Sequence, residues 1–346
     1  MLTLEILVTA VLALIISAII TRVLIPWVIN SSMKRGITTV DVHKPNKPTI
    51  TEAGGLAPLL GFIFTILIIV FIWENITPNF EEEIFEPLLA GLLSVVIAGL
   101  IGFLDDVFKI RWRDKILLGF LPAIPLMALK VGESSINLGF LGIIDFGNLI
   151  NLPYPIGYIN LYSLIIIPLA VNFAFNSFNM LAGFNGLEVG NGTISLSIIL
   201  ITALFVGNPI VTLFVTSLLG GFLVLLRFNW FPAKILAGDT GTLTLGTGII
   251  VALIIGNMDR LAPGLFGLHF VNFLLFFLYL LTHQSAKLAT VDDEGNIVVP
   301  CPYTVYWFFP YFLKIRERKN VIIILLVHTI ISVGTLIISL PAFTPG

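Results

Sequence analysis

Residues 56–73, LAPLLGFIFTILIIVFIW, carry no charged side chain. An apolar run of about 20 residues is long enough to cross the hydrocarbon core of a bilayer as a helix. Ten such runs are predicted, near 4–29, 56–73, 87–104, 116–131, 160–178, 192–206, 209–226, 242–257, 265–282 and 321–340. Several are short and rich in Gly or Pro, which is tolerable where neighbouring helices or a wet cavity satisfy the backbone. The composition agrees: 11% of the 346 residues are charged and the mean hydropathy is +1.05, whereas soluble domains carry about 25% charged residues. The expected fold is all-α, a polytopic integral membrane protein with about ten transmembrane helices folded as a single domain over 1–346. A net charge of −2 leaves no basic surface for nucleic acid. The lone Cys301 has no partner for an internal disulfide or a thiolate metal site. The first run is longer than a signal-peptide core and has no base before it, so it reads as a retained span.

Lys and Arg set the expected orientation. Lys34, Arg35, Lys44 and Lys47 fall between the first two spans, Lys109, Arg111, Arg113 and Lys115 after the third, Arg227 and Lys234 after the seventh. Lys287, Lys314, Arg316, Arg318 and Lys319 precede the last span, while Lys130 and Arg260 stand alone on the other side, with Glu81, Glu82 and Glu83. The richer side is expected to face the cytoplasm, with both termini outside. The segment VYWFFPYFLKIRERK, aromatic and then basic, reads as an interfacial helix or the entrance of the last span.

The polar residues collect on that basic side, in DVHKPNKPTITE (41–52), DDVFKIRWRDK (105–115), NSFNMLAGFNGLE (176–188), NWFPAKILAGDTGT (229–242) and THQSAKLATVDDEGN (282–296). Asp105 and Asp106 end an apolar run, where ionised carboxylates need water, a cation or a partner. Their mutual repulsion points to a cation, and salt bridges to the bases that follow are the simpler account. In GDTG, Asp239 and Thr240 are natural helix caps. Alternatively, Asp239 faces magnesium, which prefers carboxylate, amide and phosphate oxygens. Asn and Gly around 176–192 usually mean turns, but Asn176 and Asn179, three apart, share a helix face, and amides can ligate a metal or read a base. The bases, Lys115 among them, suit an anion such as a magnesium-bridged diphosphate. His43, His269 and His328 are isolated and read as structural.

Taken in order, GFLDDV with RWRDK, NSFNMLAGFNGLE, and NWFP with GDTG resemble the polyprenyl-phosphate N-acetylhexosamine-1-phosphate transferase family. The chain is most similar to its eukaryotic and archaeal branch, the UDP-N-acetylglucosamine–dolichyl-phosphate transferases. The resemblance runs from about Asp41 to the last span. It implies that Asn179 and Asp239 hold magnesium, or manganese in its place, that Lys115 contacts phosphate, and that Asp105 and Asp106 lie near the acceptor phosphate. It places Gly183 and Asn185 at the uracil, with Glu188 in the same segment, and Asp41, Lys44 and Glu52 in a loop closing over the nucleotide. Two departures stand out. Leu236 takes a position where eukaryotic relatives have an aromatic residue. THQSAK, with His283 and Lys287, replaces an Arg-His-Arg segment that helps recognise the sugar. The multi-histidine motif of the muramyl-pentapeptide branch does not occur.

The implied reaction is attack of polyprenyl or dolichyl phosphate on the β-phosphorus of a UDP-sugar, most simply UDP-GlcNAc. It would release UMP as the first membrane step of lipid-linked oligosaccharide synthesis for N-glycosylation. The implied partners are the UDP-sugar, the lipid phosphate, the bilayer and a second copy in a homodimer. An archaeal plasma membrane is the expected setting. The rivals are the same chemistry with another UDP-hexosamine for an envelope polymer, a scaffold that binds nucleotide sugars, and a transporter of a nucleotide-sugar-like anion. A transporter would place its polar groups near the midplane between repeats, whereas here they gather at one face.

Overall fold

A computed structural model describes residues 4–44, 46–76, 85–137, 142–147, 150–151, 158–282 and 289–343. Nine helices among the described residues are long and apolar enough to cross a membrane. They are built on α1 (Leu4–Arg35), α2 (Leu56–Ile76), α3 (Phe85–Phe108), α6 (Ile167–Met180, entered through a π-helical turn at Tyr162–Ile166), α7 (Leu187–Val206), α8 (Pro209–Asn229), α9 (Gly238–Gly256), α10 (Ala262–Thr282) and α12 (Glu317–Phe343). Two-stranded antiparallel hairpins fill some of the connections: β1 (Thr38–Val40) with β2 (Thr49–Thr51), β3 (Ser135–Asn137) with β4 (Ile143–Asp145), β5 (Ile150–Asn151) with β6 (Tyr158–Ile159), and β7 (Thr290–Val291) with β8 (Ile297–Val298). In the first, Thr38 pairs with Thr51 and Val40 with Thr49.

The continuous helix expected over 116–131 is not formed. That stretch is broken into α4 (Trp112–Leu118), a 3-10 turn at Leu121–Ala123 and α5 (Ile124–Ala128). Pro122 and Pro125 each remove a helical donor and crowd the preceding turn. The broken segment nevertheless covers the depth of a full span. Lys115 Nζ lies 3.1 Å from Asp239 Oδ1 at the start of α9. The Glu133 N–H donates to Asn257 Oδ1, just beyond the end of α9, at 2.8 Å.

α9 is the central helix and is buried on nearly every side. Lipid gives no hydrophobic drive for helix association, so close packing through small residues takes its place. The sequence GDTGTLTLGTG supplies those residues. Gly102 of α3 sits against the backbone of Asp239 and Thr240, Gly55 against Gly241, and Gly246 against the carbonyl of Ala174 in α6. Thr240, Thr242, Thr244 and Thr247 are all buried there. The outermost helices, α1 and α12, instead expose apolar side chains such as Ile19, Trp27, Ile330 and Ile338.

α7 and α9 begin earlier than the apolar pattern predicts, at Leu187 and Gly238. Glu188 and Asp239 therefore lie in first helical turns, and Asn191 just beyond the first turn of α7, rather than in loops. The aromatic segment near the end splits in two, a short helix α11 (Val305–Phe312) and the RERK stretch that opens α12. The ends of α1, α3, α6, α8 and α10 and the starts of α2, α7, α9 and α12 meet at one end of the bundle. Both described chain ends lie at the other.

Candidate functional site

Asp105 and Asp106 occupy the last turn of α3 and are buried. Neighbouring residues on a helix point about 100° apart, and the two carboxylates do different things. Asp105 Oδ1 accepts the Ile110 N–H at 2.7 Å, closing the turn after α3. Its Oδ2 meets Lys115. Asp106 reaches the start of α9. Its Oδ1 accepts the Asp239 N–H at 2.7 Å, and its Oδ2 accepts the Thr240 N–H at 3.1 Å and the Thr240 hydroxyl at 2.5 Å.

The first amides of a helix lack intrahelical partners and attract negative charge. The cap expected from Asp239 or Thr240 is thus supplied from another helix. Ala237, the residue before α9, makes no side-chain cap. Gly238 has φ +66, and a Cβ there would collide with the Glu52 carbonyl and the Asp106 carboxylate. Only glycine lets α3, α9 and the Glu52 segment meet this closely.

With its amide held by Asp106, Asp239 turns its carboxylate outward, 22% exposed. Asn179, at the end of α6, touches Asp239 Oδ1 with its amide and lies 3.0 Å from Thr242 Oγ1. Lys115 bridges Asp105 and Asp239. The Asn172 amide holds α4 in place by donating to the Ile116 carbonyl at 2.7 Å. Asn176 is one turn before Asn179 on the same helix and donates to the Asn172 carbonyl and side-chain oxygen. Three carboxylates beside one lysine leave an excess of negative charge at a helix N-terminus otherwise suited to anions.

Beside this cluster is a cavity of about 320 Å³ lined by Asp41, Glu52, Asp106, Asn179, Gly183, Asn185, Glu188, Leu236 and Asp239. Most of the residues expected around the nucleotide therefore line one space. The Leu236 backbone joins the Thr51 carbonyl and the Gly54 N–H, each at 2.9 Å. Glu52 pairs with Lys109 at the rim. Gly183 faces Tyr306. His283 and Lys287 lie outside the described residues.

A second cluster adjoins the cavity, sharing Asp41 and Asn185 with its lining. Asn185 Nδ2 donates to Asp41 Oδ2 at 2.9 Å, and its backbone N–H donates to Glu317 Oε1 at 2.8 Å. Lys44 Nζ lies 2.5 Å from Glu317 Oε2, 3.4 Å from Asp41 and 4.1 Å above the Phe231 ring. His43 packs against Phe184 at 4.7 Å between ring centroids. Burial pushes the His43 imidazole down to about 4, the Asp41 carboxylate raising and the Lys44 ammonium lowering it further. Gly186, with φ +84, starts α7, and its N–H is held by Asn229 Oδ1 at 3.0 Å. Glu317 is the member of this cluster that sequence reasoning misses. Its neighbours Arg316, Arg318 and Lys319 make RERK look like a basic loop, yet Glu317 is buried at the start of α12.

The model of glycosyl transferase family 4 matches residues 88–257, which contain both aspartates of α3 and the start of α9. A protein of Sulfolobus acidocaldarius is 32% identical over 83% of this chain and 82% of its own length. Its name proposes a UDP-N-acetylglucosamine–dolichyl-phosphate N-acetylglucosaminephosphotransferase. The chain belongs to glycosyl transferase family 4. The family member of that name in Schizosaccharomyces pombe is 30% identical over 69% of this chain and 60% of its own length. A phospho-N-acetylmuramoyl-pentapeptide-transferase of Clostridium botulinum is 34% identical over 63% and 62%. The resemblance read from the motifs is borne out, and this family member is an integral, multi-pass membrane protein.

Proposed function

We propose that the chain transfers N-acetylglucosamine-1-phosphate from UDP-N-acetylglucosamine to dolichyl phosphate, giving the lipid-linked sugar diphosphate and UMP. The observation that carries this reading is the contact of Lys115 with both Asp105 and Asp239, at the α9 N-terminus and beside the cavity. The relatives' names supply the substrates. The polar end is assigned to the cytoplasm by its excess of bases, with both termini outside and the plasma membrane as the setting. A homodimer is carried over from the resemblance.

Asn179, Asp239 and Thr242 offer oxygen donors beside excess negative charge. Among the described residues no three His, Cys, Asp or Glu side chains form a site that would hold a metal alone. That set fits magnesium, which takes one or two carboxylates and completes its shell with water and substrate phosphate. Asn179 and Asp239 would hold it, or manganese in its place. Bound there, the ion supplies charge neutralisation for a diphosphate.

In the proposed reaction a lipid-phosphate oxygen forms a bond to the β-phosphorus. The bond from that phosphorus to the bridging oxygen breaks, and UMP leaves with the electron pair. The sugar's bond to its anomeric oxygen is untouched, so configuration is kept. A phosphate monoester has a second pKa near 6, so the acceptor is largely a dianion at neutral pH. Lys115 offsets the repulsion between acceptor and diphosphate, and Asp105 orients Lys115. Asp106 is a positioning residue, since its oxygens are taken by α9. Asn185 and Gly183 meet the uracil end, and the Asp41–Lys44 hairpin closes over it. The mostly apolar cavity of about 430 Å³ between the start of α6, the end of α9 and the start of α10, lined by Ile166, Ala170, Leu253, Asp259 and Phe266, lies at the other end of the bundle, where only the distal part of a long lipid tail would reach.

The test is UMP release by detergent-purified protein given UDP-N-acetylglucosamine, dolichyl phosphate and magnesium. UMP should require all three; EDTA should abolish it, and Asp239→Ala should lower it about a thousandfold. UMP only from another UDP-hexosamine would reassign the sugar. Folded protein that releases none from any UDP-sugar would favour anion transport.

A further inference from the structure

On the flank of the bundle, away from the cavity just described, lies a pocket of about 460 Å³ lined by Arg22, Arg227, Phe228, Trp230 and Lys234. Its volume is that of an ordinary small-molecule site. It contains three bases and no acid. Among the described residues none of the three forms a salt bridge, and all three side chains are exposed. The Arg22 guanidinium lies 5.9 Å from the Phe228 ring, which places the middle of α1 level with the end of α8. α1 continues 13 residues beyond Arg22, to Arg35, with Trp27 exposed. The pocket therefore sits where the apolar bundle gives way to the polar end. That is the depth of lipid headgroups, where Trp and Arg are at home.

The chain invests structure in this arrangement. After α8 the backbone folds back, so that the Lys234 N–H donates to the Phe228 carbonyl at 2.8 Å. This brings Lys234 over the helix end beside Arg227. The partial negative charge of a helix C-terminus accounts for bases at Arg227 and Lys234. It does not account for Arg22, which comes from another helix and meets no carboxylate among the described residues. The pocket also touches the nucleotide side of the molecule. The Trp230 ring occupies the space a Cβ on Gly186 would take, next to Asn185.

We propose that this pocket binds the phosphate headgroup of an anionic membrane phospholipid, with Arg22, Arg227 and Lys234 around the phosphate and Trp230 beside the glycerol. Basic pockets between membrane helices bind such headgroups through the same chemistry. The proposal does not rest on the transferase reaction, and its test needs no substrate.

The experiment is a lipid titration of the delipidated full chain in neutral detergent, followed by thermal unfolding and by native mass spectrometry. Phosphatidylglycerol is compared with phosphatidylcholine of the same acyl chains, and with inorganic phosphate. Phosphatidylglycerol should bind saturably and raise the unfolding temperature, while the other two should not. The double variant Arg22→Gln, Lys234→Gln should lose about thirtyfold in affinity, as two bases near a lipid surface would supply. Lys47→Gln with Lys314→Gln, both exposed and elsewhere, removes the same charge and should leave affinity unchanged. If the double variant is poorly folded, Arg227→Gln alone should show a smaller loss of the same kind. Equal binding of the two lipids, or equal losses in the two double variants, would overturn the proposal. Binding of inorganic phosphate as tight as that of the lipid would make the pocket a free-anion site and overturn it too.

Discussion

The two polar clusters of the site are built in opposite ways. Asp105, Asp106, Lys115, Asn179 and Asp239 stand on helix ends pinned by glycine contacts and by the capping of α9 from α3. Asp41, Lys44, Asn185 and Glu317 stand on a hairpin, a turn and the start of the last helix, and salt bridges and hydrogen bonds connect them. The matched family segment, 88–257, holds the first cluster whole and leaves Asp41, Lys44 and Glu317 outside. On the proposed reading, the difference is a division of labour. Reacting phosphates need groups fixed within a fraction of an ångström, so they sit on packed helices. A nucleotide must enter and leave, so the groups proposed to cover it would sit on a clasp.

The largest expected effect falls on the rigid cluster. Asp239→Ala should lower UMP release about a thousandfold, on the scale of losing a principal charge-stabilising group, with the unfolding temperature little changed. Asp106→Ala separates the two aspartates. It leaves two helical N–H groups and a hydroxyl without their acceptor, so it should cost about 2–4 kcal/mol of stability, read by thermal unfolding. Asp105→Ala should cost less stability and more activity. Equal unfolding losses in the two would remove the distinction drawn between them.

A smaller effect is expected on the clasp. Glu317→Gln should speed hydrogen exchange across 38–51, where the Asp41 N–H is held by the Pro48 carbonyl at 3.0 Å, and leave α9 unchanged. The smallest concerns His43. Its neutral form is favoured in the fold, with a pKa of about 4 against an ordinary 6.5. Its contribution to stability is therefore whole above pH 6.5 and lost as pH falls toward 4. His43→Gln should flatten thermal stability across that window, and an unchanged slope would show that other groups set it.

Much of the rigid cluster was legible because its residues lie in short motifs at the edges of apolar runs. What the motifs could not show is direction. Asp106 faces a backbone 133 residues away, so adjacency in DDV hides two different tasks. The broken fourth span had its signal in Pro122 and Pro125, masked by an apolar average over the whole stretch. Glu317 had none. Its partners Lys44 and Asn185 are distant in sequence, and the bases around it read as a topological signal. The late loop with His283 and Lys287 lies outside the described residues.

The division of labour is tested most directly by measuring kcat and KM for UDP-N-acetylglucosamine in Glu317→Gln beside Lys115→Gln. Glu317→Gln should raise KM about tenfold, the loss of one charged hydrogen bond, and leave kcat nearly unchanged. Lys115→Gln should lower kcat and leave KM nearly unchanged. If both variants move the same constant by the same factor, the two clusters act as one and the division is wrong.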